Sequence, residues 1–190
     1  MGYGGKDAVV SPAGWEGLWL DAVQGLVLRT TADASGVSLR YATTPSTLSV
    51  GPDGIAQGGG VSLQHDGGTL VMRREAENLT VTARAMVPVE VADGQALAGR
   101  YWSDELEAGL DIETWGGATF PGFDGMLGAG PVERMYSVAC DIWAITTRRS
   151  MDASPPGDWT VQVRRAEDGA VIGLTLGCWL ARRIEYRRVA

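Results

Sequence analysis

Nucleophilic, acid–base and metal chemistry each need particular side chains at particular spacings, and this 190-residue chain holds few of them. Its one histidine, His65, sits in SLQHDGG, and its one lysine is Lys6. A Ser-His-Asp triad would set His65 between a serine and a carboxylate. A metal site would join it to carboxylates or thiols at ligand spacing. Neither pattern is visible, so His65 reads as a solvated residue at a strand end. In a Ser-x-x-Lys pair the lysine activates a serine one helical turn away; here Tyr3 stands where that serine would precede Lys6. A phosphate-cradling P-loop ends in Gly-Lys-Ser/Thr, whereas the glycine-rich run Gly116–Gly130 has no lysine and continues into Pro131-Val132. Gly128-x-Gly130 lacks the third glycine of a dinucleotide fingerprint. Asp104 and Glu105 fail as a glycosidase pair, because adjacent strand residues face opposite sides; they read as a solvated turn. The expectation is no catalytic residue, no metal ligand set and no cofactor.

One segment remains unusual. GGATFPGFDGMLGAG, residues 116–130, carries six glycines in fifteen positions, with Trp115 before it and Phe120, Phe123 and Asp124 inside it. Its composition predicts a mobile loop. Aromatic rings on such a loop dock against something rather than stay in water, either their own domain or a partner. The candidate site is therefore Trp115, Gly116, Gly117, Phe120, Gly122, Phe123, Asp124, Gly125, Gly128 and Gly130.

The elements that position this segment read as strands. Period-two alternation and short apolar runs mark strands at 25–30, 37–42, 60–65, 69–74, 79–87, 136–145, 159–165, 170–177 and 182–189. Asp53-Gly54, Asp66-Gly67-Gly68, Glu77-Asn78 and Asp168-Gly169 supply turn chemistry between them. GWEGLWLDAVQGLVL and LAGRYWSDELEAGLDI share a pattern that aligns Gly17-Leu18-Trp19 with Gly99-Arg100-Tyr101, an offset of 82 residues. VPVEVADGQA, residues 87–96, reads as a connector. The fold class is all-β, with two small antiparallel β-barrels in tandem over 1–92 and 93–190, the second carrying the glycine-rich loop.

Composition narrows the partners. The chain is 45% hydrophobic, enough for a core, and its net charge is -7. Arginine pairs at 73–74, 148–149, 164–165, 182–183 and 187–188 are read as strand-end charges that keep sheet edges soluble, because an acidic chain repels nucleic acid overall. Cys140 and Cys178 lie in apolar runs and read as two buried thiols, with one disulfide as the alternative. No run reaches the roughly 18 apolar residues of a membrane span, and the start has no apolar signal region. Lys6 also spoils the myristoylation pattern after Met1-Gly2. These features predict a soluble, cytoplasmic chain.

The runs WGGATFPGFDGMLGAGPVERM, DIWAITTRRSMDASPPGDWTVQVRR and GLTLGCWLARRIEY closely resemble the last domain of the D-aminopeptidase family, and GWEGLWLDAVQGLVLRT through VSLRYATTPSTLSV resembles the domain before it less specifically. The resemblance implies two lipocalin-like barrels that follow a penicillin-recognising serine hydrolase domain, absent from this chain together with its serine and lysine. It also implies that a loop of the last barrel, within Trp115 to Arg134, gates the hydrolase cleft. The functional expectation is a non-catalytic accessory module that packs on such a domain in cis or in trans and restricts its active site. A stand-alone barrel binding a small apolar ligand is the alternative, and a homodimer through exposed sheet edges stays open.

Overall fold

The computed structural model describes residues 14–41, 44–89, 92–146, 157–178 and 181–189. Lys6, the Met1-Gly2 start, the Arg148-Arg149 pair and part of the 87–96 connector lie outside the described residues. The chain forms two compact units, Met1–Asp21 with Val27–Met86, and Ala22–Leu26 with Val87–Ala190.

The first unit is a closed up-and-down barrel. Its strands are β1 (Gly17–Asp21), β2 (Leu26–Asp33), β3 (Gly36–Arg40), β4 (Ser46–Val50), β5 (Ala56–Gly58), β6 (Val61–His65), β7 (Thr69–Arg74) and β8 (Leu79–Ala85). β8 closes on β1 through Trp19↔Ala85 and Leu20↔Arg84. Alternate residues point inward, as the two-residue period of a strand requires: Leu28, Val37, Leu39, Leu48, Leu63, Leu70, Met72 and Val81 have no solvent exposure. The buried Trp19 indole donates to the Thr30 hydroxyl at 2.9 Å, which satisfies both polar groups inside the wall. The turn residues act as their types predict. The Asp66 carboxylate accepts the Gly68 and Thr69 amides at 3.0 and 2.8 Å, and Asn78 takes the left-handed conformation, φ +47.

The second unit contains β9 (Gly99–Ser103), β10 (Ala108–Trp115), β11 (Ala118–Gly125), β12 (Gly128–Val132), β13 (Met135–Ala139), β14 (Ile142–Ile145), β15 (Trp159–Arg165), β16 (Val171–Gly177) and β17 (Ile184–Arg188). Eight of them close a second antiparallel barrel in the order β9-β10-β11-β13-β14-β15-β16-β17. β17 returns to β9 through Arg187↔Trp102 and Arg188↔Tyr101. Tyr101, Leu110, Val161, Leu174 and Leu176 fill it, all without exposure. The chain enters this unit along its own wall: Pro88 bridges Ala139, the Val89 amide donates to the Val138 carbonyl at 3.3 Å, and Asp93 caps the short 3-10 turn Gly94–Leu97.

The internal repeat extends further than the sequence shows. β1, β2, β3 and β4 begin at residues 17, 26, 36 and 46, and β9, β10, β11 and β12 begin at 99, 108, 118 and 128, the same offset each time. The fourth members differ in role. β4 lies in the wall between β3 and β5, whereas β12 pairs only with β11 and β13 takes the place in the wall. The second barrel is thus the first barrel's meander with one strand turned outward as a hairpin arm.

Three expectations need correction. The run 136–145 is not one strand: it folds back at Cys140-Asp141, with Asp141 at φ +57, into β13 and β14. Cys140 therefore sits exposed in a turn rather than buried; Cys178 is buried, and both are free thiols. The arginine pairs do more than blunt sheet edges. Arg74 bonds Glu77, Arg165 bonds Asp141 at 2.7 Å, Arg164 approaches Glu185 at 3.5 Å and Arg187 approaches Asp104 at 3.3 Å, while Arg188 donates to the Ala96 and Ala98 carbonyls.

Candidate functional site

The segment whose composition predicts a loop is strand on both sides of a tight turn. β10 and β11 pair without interruption from Gly109↔Asp124 to Trp115↔Ala118. Gly116 and Gly117, at φ +59 and +75, form the two-residue turn between them; two successive positive φ values suit a primed hairpin turn and exclude most side chains. The far half of β11 then pairs with β12 through Gly122↔Val132, Asp124↔Ala129 and Gly125↔Gly128. Met126 and Leu127 make the tip of this arm, closed by Gly128 at φ +97. Composition misleads here because glycine disfavours a strand only weakly, about 1 kcal/mol, and β11 has partners along both edges.

Pairing divides the ten expected site residues between the two ends of a ribbon. Trp115, Gly116, Gly117 and Phe120 lie at one end, where the Trp115 and Phe120 rings stack at 4.3 Å and Trp115 is 64% exposed. Phe123, Asp124, Gly125, Gly128 and Gly130 lie at the other, with Gly122 between. Along β11 the ends, Ala118 and Gly125, lie about 23 Å apart, while Phe120 and Phe123 are three residues, about 10 Å, from each other. Phe123 turns inward and meets the Tyr186 ring edge-on at 6.2 Å, so it anchors the arm to its own barrel.

An ion-pair clamp holds the arm close to its tip, at Asp124, one residue pair from Gly125↔Gly128. Arg100 on β9 reaches across β10, bonding Asp111 and gripping Asp124 on β11, with Nη2–Oδ2 at 3.0 Å and Nη1–Oδ1 at 2.9 Å. The second of these is an ion-pair contact without hydrogen-bond geometry, leaving Oδ1 unbonded. The carboxylates, Asp124 foremost, push the guanidinium above its usual value, so it stays charged. The clamp lies directly over Gly109, where a Cβ would come within 2.2 Å of Arg100 Nη2 and 2.3 Å of Asp124 Oδ1.

The arm's two sides differ chemically. One faces an apolar groove of about 540 Å³ lined by Leu106, Phe123, Met126, Leu127, Trp159 and Tyr186. The other faces a polar groove of about 530 Å³ lined by Trp102, Asp104, Glu107, Asp124 and Met126. Met126 and Leu127 are 95% and 97% exposed. They are the residues that sequence reasoning missed, although two large apolar side chains enclosed by Gly125 and Gly128 were a legible signal. Arg100, Trp159 and Tyr186 were missed as well, because only the barrel's closure brings them to the arm.

Elsewhere the described residues offer little reactive chemistry. They contain no group of three or more His, Cys, Asp or Glu placed to hold a metal. Asp104 lies in the exposed β9–β10 turn. His65 is not the simple surface residue expected: its ring packs edge-on against buried Trp15 at 4.3 Å, and its Nδ1 accepts the Gly67 amide at 3.3 Å. No described helix is long and apolar enough to cross a membrane.

Two lipocalin-like antiparallel barrels in tandem, the second bearing a projecting hairpin, define a β-barrel module. The chain belongs to the D-aminopeptidase family: the family model for D-aminopeptidase, domain B, matches residues 8–187. A D-aminopeptidase of Cereibacter sphaeroides is 58% identical over 178 residues, 94% of this chain and 34% of that protein. One from Brucella anthropi is 39% identical over 182 residues, 95% of this chain and 34% of the relative, and one from Brucella ovis is 39% identical over 178 residues with 93% and 34% covered. The chain thus spans about a third of the length of the curated relatives it matches.

Proposed function

We propose that this chain is the non-catalytic module of a D-aminopeptidase, packing on a penicillin-recognising serine hydrolase domain in cis and limiting what enters its cleft. The β11–β12 arm is the gating element, and Met126 and Leu127 are its contact residues. The observation that carries the reading is the arm's construction. A strand whose counterpart belongs to a barrel wall is turned outward, its partner β11 is held just below the tip by Arg100 at Asp124 and by Phe123, and the tip presents two almost fully exposed apolar side chains. Such a tip is stable in water only at a cost that a partner surface removes.

This places the gate at one end of the segment expected from sequence. Asp124, Gly125, Gly128 and Gly130 form the arm, Phe123 holds it, and Trp115, Gly116, Gly117 and Phe120 at the opposite end fall outside it. The test is a binding assay between this chain and the remaining two-thirds of the Cereibacter sphaeroides relative, expressed separately. Association that the double substitution M126D/L127D weakens about tenfold or more supports the reading. Association unaffected by that change removes the arm from the interface.

A further inference from the structure

Tyr186 is only 2% exposed, yet it lines the apolar groove beneath the arm, and its hydroxyl makes no hydrogen bond among the described residues. That hydroxyl is not one of the described buried side-chain atoms left without a partner, which leaves it open to a ligand or to water in the groove. Tyr101, its equal in burial within the same barrel, donates to the Leu97 carbonyl at 2.8 Å. The walls around Tyr186 are Leu106, Phe123, Trp159, Met126 and Leu127. A concave, mostly apolar site with one directed polar group is the common form of a small-molecule site, and its volume lies within the usual range of about 300–1,000 Å³.

We infer that this groove binds a small neutral ligand whose aromatic or branched aliphatic body lies against Trp159 and Leu127 and whose carbonyl oxygen accepts the Tyr186 hydroxyl. Charge selects the ligand class. Arg100 is shared between Asp111 and Asp124, so the rim keeps net negative charge. The phenol senses it: burial first, then the Asp124 carboxylate, hold Tyr186 above the usual tyrosine value, in the protonated, donating form. A ligand carboxylate would meet Asp124 and be disfavoured.

The inference stands apart from the gating role and is tested on the chain alone, so failure of one leaves the other standing. The probes are para-fluoroacetophenone, para-fluorotoluene and para-fluorobenzoate, followed by fluorine NMR. The ketone is expected to bind most tightly and the carboxylate least. Tyr186→Phe removes only the hydroxyl; it should raise the ketone's Kd about fivefold, the equivalent of one hydrogen bond, and leave that of the toluene unchanged. Leu127→Asp, on the exposed tip, should weaken both. No binding of the ketone, equal loss of ketone and toluene in the phenylalanine variant, or carboxylate binding as tight as ketone binding would overturn it.

Discussion

Two tyrosines show how much one atom's partner decides. Tyr101 and Tyr186 sit in the same barrel core with almost no exposure, but only Tyr101 satisfies its hydroxyl within the described protein. Tyr101→Phe should cost about 1 kcal/mol, because it strands the Leu97 carbonyl in the interior, whereas Tyr186→Phe should leave stability within about 0.5 kcal/mol of the parent. Paired urea denaturation curves check the contrast. Asp66 gives a pH prediction. Hydrogen bonds from the Thr69 and Gly68 amides hold its carboxyl below the usual value. Its contribution is therefore present above the ordinary carboxylate range, near pH 4, and is lost as pH falls through the depressed folded value. Asp66→Asn should lower stability modestly at neutral pH, converge with the parent below the depressed folded value, and so flatten the acid limb of the stability–pH curve.

At the scale of elements, the β10–β11–β12 ribbon carries the candidate site. Its turn depends on Gly116 and Gly117 both holding positive φ, so Gly117→Ala should destabilise the second barrel by about 1 kcal/mol, read as a shift in its thermal transition. Gly109→Ala acts differently. Its Cβ displaces the Arg100–Asp124 clamp, and the flexible ends of both side chains can move away. The expected outcome is faster amide exchange in β12 with little change in β15 and β16, measured by hydrogen–deuterium exchange. The ribbon also marks the limit of what the sequence reveals. Strands with clear alternation, such as β7 and β8, and turns such as Asp168-Gly169 were legible, because side-chain period and turn chemistry are local. β11 and β12 were not, because GFDGMLGAG has no alternation to read and is held as strand by its neighbours. β13 and β14 merged into one apparent strand because Cys140-Asp141 carries neither glycine nor proline to mark the turn.

For the whole molecule, two barrels were legible from the number of short strands and from the repeat at Gly17 and Gly99, which the structure extends through four strands. The candidate site was legible only in outline. The glycines single out the segment that the proposal uses, but pairing sends Trp115 and Phe120 towards one end of the ribbon and Asp124 towards the other, and long-range pairing of that kind leaves no local signature. The chain matches only a third of each relative, and the central proposal is a division of labour in which the rest of such an enzyme carries the chemistry and this module selects what reaches it.

The most direct test replaces the matching third of the Cereibacter sphaeroides D-aminopeptidase with this chain and compares turnover of a small and a bulky D-amino-acid amide, with and without M126D/L127D. The account predicts no turnover by the chain alone and a selective chimaera. In the double variant, the bulky-to-small ratio of kcat/KM should rise about tenfold with thermal stability unchanged. Turnover by the isolated chain, or a selectivity ratio indifferent to the tip substitutions, would contradict it.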